Sequence, residues 1–280
     1  LAPYALLELA AIESDAARFK SAADILEELR TAKQDLTPDV RAQSAYQLAL
    51  CWLRLDQPKE AIALLDPVLE ASDANPSLMP AANLLGGECR YKLGRHAEAA
   101  PYFERVIAAP ADDQSLASAL LRLGECRAAT QEWAASETAF TTYLDRFKSG
   151  EFWFQARFGV GWARENAGDF DTAIAAYRLV AEKHQGATAA RAQFQIGECL
   201  FAQKQYEEAV REFLRVDILF AYPEWSAAAL YEAGRCFESL SKPDLAAEQF
   251  KQVKEKYPDT EWARLATERL TAPRASAQPK

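Results

Sequence analysis

Histidine is nearly missing from this chain, with two copies among 280 residues. His96 takes a position held elsewhere by Phe19, Trp133, Phe170 and Tyr206, and His184 lies in a polar stretch; neither has a catalytic setting. Also missing are a glycine-rich phosphate loop, a His-x-x-x-His pair, a Cys-x-x-Cys pair and a nucleophile elbow, so no motif supplies a phosphate cradle, paired metal ligands or an activated serine. We therefore expect a chain that is not an enzyme and that carries no metal and no cofactor. No run of about 18 or more uncharged apolar residues occurs, which leaves no membrane-spanning helix. The segment Leu1 to Lys20 lacks the basic head and apolar run of a leader peptide. The start at Leu rather than Met reads as a processed product or an excised fragment. Positive charge is in deficit: 32 Lys and Arg stand against 41 Asp and Glu, a net charge of −9, which disfavours bulk binding to nucleic acid or to an anionic membrane. Strand-like alternation of useful length is absent throughout.

What is present is a repeat. A small residue recurs at Ala10, Ala49, Gly87, Gly124, Gly161, Gly197 and Gly234, in steps of 39, 38, 37, 37, 36 and 37. Twelve residues after each comes Ala22, Ala61, Ala99, Ser136, Ala173, Ala209 or Ala246. Four further on stands Leu26, Leu65, Phe103, Phe140, Tyr177, Phe213 or Phe250, and three beyond that Leu29, Val68, Val106, Tyr143, Val180, Val216 or Val253. Offsets of 0, 4 and 7 mark one face of a helix. A self-similar period of this length predicts an all-α solenoid, in which each helix pair buries its apolar face only against its neighbours.

Turn signals alternate with the helices. Those within units are Asp56-Gln57-Pro58, Gly94-Arg95, Gly168-Asp169 and Ser241-Lys242-Pro243; those between units carry Pro76 and Pro80, Pro110, Ser149-Gly150, Gly186, Pro223 and Pro258. We expect one elongated domain over residues 1–270, in repeats 1–36, 37–76, 77–113, 114–150, 151–187, 188–223 and 224–258. A last helix at 259–270, with Asp259 or Thr260 as N-cap, covers the open end, and 271–280 is a disordered tail.

A small residue at the crossing point of the first helix, Ala twelve later, an aromatic or Leu after four more, and Pro near the end of the unit: in this pattern the chain resembles the tetratricopeptide repeat (TPR) family. The fifth unit carries it most clearly, with Phe194, Gly197, Leu200, Tyr206, Ala209, Phe213 and Val216; Gly234, Phe237, Ala246, Phe250, Val253 and Pro258 follow in the seventh. The departures are Ala10, Ala49 and Ser136, and units longer than that family's usual 34 residues. The resemblance implies a right-handed superhelical solenoid of about seven helix-turn-helix repeats plus a C-terminal capping helix. The long units and endings such as Lys256-Tyr257-Pro258-Asp259-Thr260 are similar to bacterial cell-envelope members, among them the periplasmic partner of the Tol-Pal system and the lipoprotein of the outer-membrane barrel assembly machine. That likeness implies a periplasmic or envelope location, with the cytoplasm as the alternative.

Cys51, Cys89, Cys126, Cys199 and Cys236 all lie two residues after their unit's small residue. Equivalent positions in stacked units stand about 8 to 10 Å apart, too far for a disulfide or a shared zinc, so these thiols read as buried packing residues. The resemblance places partners along the concave surface of the first helices, at positions three before and one after the small residue. Tyr46, Glu88, Glu125, Phe158, Trp162, Phe194, Glu198, Tyr231 and Arg235 fall there, with Leu50, Leu84 and Leu121. Either they form an apolar and aromatic track edged by carboxylates, suited to a protein or peptide segment with basic and apolar residues, or several of the aromatics pack between units. The expected function is a non-enzymatic protein-protein interaction scaffold, in a bacterial envelope assembly where the likeness to envelope members is followed. The alternative is a structural spacer or oligomerisation module with contacts through its ends or convex face.

Overall fold

The glycine column and the aromatic column interlock, and that contact sets the architecture. In the computed structural model, which describes residues 2–31, 36–71, 76–109, 111–220 and 222–271, a Cβ added to Gly87, Gly124, Gly161, Gly197 or Gly234 would lie 2.4 to 2.7 Å from the ring sixteen residues further on. No side chain fits there, so the two helices of a pair cross at van der Waals distance. Where the later residue is Leu26 or Leu65 instead of a ring, the earlier one is Ala10 or Ala49, each buried. Ser136, which departs from the alanine pattern, donates its hydroxyl to the Gly124 carbonyl at 2.8 Å and so satisfies itself within the same crossing.

Among the described residues there are fifteen helices and no strand. They pair as α1 (Ala2–Asp15) with α2 (Phe19–Thr31), α3 (Pro38–Arg54) with α4 (Pro58–Glu70), α5 (Met79–Lys92) with α6 (His96–Ala108), and α7 (Asp113–Ala129) with α8 (Trp133–Arg146). Then come α9 (Trp153–Asn166) with α10 (Phe170–Lys183), α11 (Ala187–Ala202) with α12 (Tyr206–Leu219), α13 (Pro223–Ser239) with α14 (Pro243–Lys256), and the unpaired α15 (Glu261–Thr271). We call the first helix of each pair A and the second B. The chain forms two compact units, one ending at Phe147 and the other beginning at Lys148.

Each A helix ends in the same way. The residue seven after the small position has a positive φ between 55 and 82° in all seven pairs: Ala17, Asp56, Gly94, Gln131, Gly168, Lys204 and Ser241. The next N–H then donates back to a carbonyl five residues earlier at 2.8 to 2.9 Å, as from Gln205 to Leu200 and from Asp169 to Arg164. This is the left-handed C-terminal cap of a helix. Two of the seven positions are glycine and two more are followed by Pro58 and Pro243, which is why four of these turns carry sequence signals and those at Ala17, Gln131 and Lys204 do not.

Several expected breakpoints shift. Pro80 lies in the first turn of α5 and Pro223 opens α13, where a missing N–H costs nothing, so both start helices instead of sitting in the turns before them. Pro110 lies outside the described residues. Thr260 caps α15, its hydroxyl accepting from the Ala263 N–H at 3.3 Å. Thr271 is the last residue of that helix, not part of a tail, and 272–280 lie outside the described residues.

Within each unit the A helices touch one another in series, α1 to α3 to α5 to α7 and α9 to α11 to α13 to α15, whereas B helices contact only A helices. The A layer is therefore the tighter, inner side of each unit. The core lies between the layers, where side chains such as Phe103, Tyr177 and Phe213 are fully enclosed; burial of one such ring stabilises by about 1.5 to 3 kcal/mol.

Candidate functional site

In the unit ending at Phe147, Tyr46, Leu50, Leu84, Glu88 and Glu125 are half-buried on the A layer, and Leu121 is buried. Glu88 and Glu125 are already engaged. Arg122 donates from Nε to Glu88 at 3.0 Å and from Nη1 to Glu125 at 2.7 Å, and its guanidinium lies 4.4 Å over the Tyr91 ring. Burial would lower the arginine's proton affinity, but the two carboxylates more than offset this and raise it. Burial, followed by the nearby Glu125, pushes the Tyr91 hydroxyl up to about 12. Arg122 was not singled out from the sequence, although its spacing of three from Glu125 is the signal for such a pair.

In the unit beginning at Lys148, the expected aromatic track is largely internal. Phe158 packs 5.1 Å from Tyr177; Phe194 stands 5.3 Å from Phe213 and 5.5 Å from Trp225; Tyr231 stands 5.5 Å from Phe250 and 5.4 Å from Trp262. The three are only 7 to 9% exposed, which corrects the expectation that this position lines an open stripe. The reason is geometric: the large B-helix residue of the same pair encloses each ring from one side, and for Phe194 and Tyr231 a tryptophan two helices on, Trp225 in α13 or Trp262 in α15, closes the other. Trp162, one turn along from Phe158, remains half-exposed.

The polar groups of this A layer differ in their partners. Glu165 accepts from the Tyr177 hydroxyl at 2.7 Å and from Gln195 at 2.9 Å. Glu232 is paired with Arg235 by two contacts, at 2.8 and 3.0 Å, and Arg235 stacks 5.0 Å from Phe201. Arg191, missed by the sequence reading, lies exposed with its guanidinium 4.6 Å from Phe158 and 5.6 Å from Trp162. Glu198 differs from its neighbours. Its Oε1 is sealed from solvent without a hydrogen-bond partner, and burial, then the nearby Glu232, pushes its carboxyl up to about 7.

The cysteines are all free and buried. Burial pushes the thiols of Cys89, Cys126 and Cys236 up to about 12 and raises Cys51 and Cys199 as well, which makes them poor nucleophiles and poor metal ligands. Among the described residues no cluster of three or more His, Cys, Asp or Glu could hold a metal ion. His96 meets Tyr91 edge-on at 5.1 Å, as Tyr206 meets Phe201 at 5.3 Å, so it fills an aromatic's place at the start of a B helix. His184 stacks on Phe154 at 3.7 Å, and burial lowers its proton affinity. No helix of the described residues is long and apolar enough to cross a membrane.

These interlocked pairs match family models described as tetratricopeptide repeat, over residues 54–115, 90–151, 130–188 and 158–224, and again over 228–260. The chain belongs to the tetratricopeptide repeat family. No curated protein matches it. Among solved TPR structures, the C-terminal part of a TPR repeat-containing protein from Cytophaga hutchinsonii is similar over 94% of this chain and 99% of its own, with 12% identity and a TM-score of 0.73. A TPR protein from Parabacteroides merdae covers 96% of this chain and 97% of its own at 15% identity, TM-score 0.59. YrrB, described as a TPR protein with an unusual peptide-binding site, covers 73% of this chain and 97% of its own at 17% identity, TM-score 0.52. At such identities the likeness is one of fold. A TPR solenoid is an interaction scaffold, so protein or peptide partners follow from the family.

Proposed function

We propose that this TPR protein is a non-enzymatic scaffold that receives a peptide segment of a partner on the A layer of the unit beginning at Lys148, beside Trp162 and Glu198. The observation that carries the reading is Glu198. Glu88, Glu125, Glu165 and Glu232 each have a hydrogen-bonding partner within the fold, whereas Glu198 has a sealed oxygen with none and a carboxyl held near neutrality. Glu198 as a residue is only partly buried, so a lysine, arginine or terminal amine of a partner would approach the carboxyl from its open side, displace the proton and supply the missing charge, while the half-exposed Trp162 offers apolar contact. The peptide-binding site ascribed to YrrB shows that this fold can present one, and supports the reading by analogy.

The test is fluorescence anisotropy with a panel of labelled peptides that combine Lys or Arg with Leu and aromatic residues. The wild-type chain is expected to select basic, apolar peptides, and Trp162→Ala or Glu198→Gln to weaken that binding without unfolding the chain. Equal binding by both variants would sink the assignment. We further propose, from the length and endings of the units, that the protein works in the bacterial envelope; fractionation of the source cells decides between that and the cytoplasm.

A further inference from the structure

The helix α11 carries just two charged side chains, Arg191 and Glu198, and among the described residues neither has an ion-pair partner. They are seven residues apart, two turns of helix, which places them on one face about 10 Å from each other along the axis. At that separation they do not neutralise each other, since an ion pair needs its atoms within about 4 Å. Arg191 is exposed, and its guanidinium is held among three rings, 4.6 Å from Phe158, 5.6 Å from Trp162 and 5.9 Å from Trp225. Other arginines of the A layers are committed: Arg122 to Glu88 and Glu125, Arg235 to Glu232. Glu198 in turn keeps its Oε1 without a hydrogen-bond partner, because Arg235, whose charge reaches it, is held by Glu232. Phe194 and Gln195 lie between Arg191 and Glu198 on that face; they are buried and uncharged, and Gln195 donates its amide to Glu165. The row therefore presents one cation and one carboxyl with nothing charged between them.

We propose that α11 selects a bipolar segment of its partner, an extended stretch whose Lys or Arg meets Glu198 and whose Asp or Glu, three residues away, meets Arg191. The inference rests on the scaffold reading above and adds to it a second charge and a spacing. A polyproline-type segment has three residues per turn and rises about 3.1 Å per residue, so its residues i and i+3 project from one side about 9 Å apart, close to two turns of α11. The rings around Arg191 hold its guanidinium in place before a ligand arrives, so less side-chain freedom is lost on binding, and its planar fork accepts both oxygens of a carboxylate. A wholly basic segment leaves Arg191 unmatched and a wholly acidic one faces Glu198, so the order and spacing of opposite charges become the basis of selection.

The experiment measures fluorescence anisotropy of the full chain with peptides labelled at the N-terminus and amidated at the C-terminus, so that no terminal charge takes part. All share one apolar frame with a single Lys. Two of them carry Glu three residues before or three residues after that Lys, a third carries Glu directly beside it, and the reference peptide has Gln instead of Glu. One of the two spaced orders, set by the direction in which the segment crosses α11, is expected to bind about tenfold more tightly than the reference. Arg191→Gln should bring the ratio between that peptide and the reference to about one, and Arg191→Glu should reverse the preference in favour of a peptide with Lys in place of the Glu. No gain from Glu in either spaced order, a gain that survives Arg191→Gln, or an equal gain from Glu beside Lys overturns the inference and leaves the scaffold reading standing as long as the reference binds through Glu198. A reference peptide that does not bind, or that binds Glu198→Gln as well as wild type, overturns the scaffold reading and the inference with it.

Discussion

Gly124 and Phe140 are the smallest unit of this fold, with 2.6 Å between the ring and the Cβ that Gly124 lacks. Alanine at position 124 gains roughly 1 kcal/mol in helix propensity but must displace the ring, at a cost of about 1 to 3 kcal/mol. Urea unfolding should therefore find Gly124→Ala destabilising, yet neutral or stabilising in a Phe140→Leu background, because leucine already accompanies alanine in the pairs Ala10–Leu26 and Ala49–Leu65. Additive effects in the double variant would refute the pairing. Glu198 offers a second residue-scale measurement. Its carboxyl holds a proton up to about pH 7 in the folded chain but only to its ordinary value of 4.5 when unfolded, so the folded state binds more protons between those limits. Its contribution to stability therefore falls as pH rises through that window. The Tm advantage of Glu198→Gln over wild type should grow from pH 5 to pH 8; an advantage independent of pH would place the carboxyl's titration elsewhere. Both columns behind the crossing were visible in the sequence, whereas Glu198's condition was not, since it depends on Glu232 and on the loss of solvent, neither of which spacing reveals.

At the scale of the element, the A helices share one way of ending. Seven A helices close through a residue in the left-handed region, and five of the seven carry a side chain there at a cost of roughly 1 kcal/mol or more each. Lys204→Gly should raise stability by about 1 kcal/mol and Gly168→Ala lower it by a similar amount, both read from thermal unfolding. No response to Lys204→Gly would mean that the local backbone relaxes to accommodate lysine. Arg122 shows the limit of reading an element by itself: its link to Glu125 lies within α7, but its link to Glu88 crosses to α5 and takes up a carboxylate that the sequence had assigned to a partner. Phe158, Phe194 and Tyr231 make the same point with apolar groups. The residues that cover them belong to other helices.

For the whole molecule, stacking makes stability local. Each repeat answers to its neighbours, so damage at one end should fade within a repeat or two. Deleting residues 259–280 strips Trp262 from Tyr231 and removes Arg269 from its ion pair with Glu238. Hydrogen exchange should then quicken in α13 and α14 and remain unchanged in α1 to α6; a uniform acceleration would indicate one cooperative block instead of nearest-neighbour coupling. The sequence by itself determined the helix pairs, their crossing points and the packing role of the cysteines, because each rests on a spacing of a few residues along one chain. Only the tertiary structure decided which side chains of the A layer stay open and which carboxylates are already neutralised. Those outcomes depend on what lies across an interface some 36 to 39 residues away, and a repeat read from a single chain shows the interface without showing its occupant.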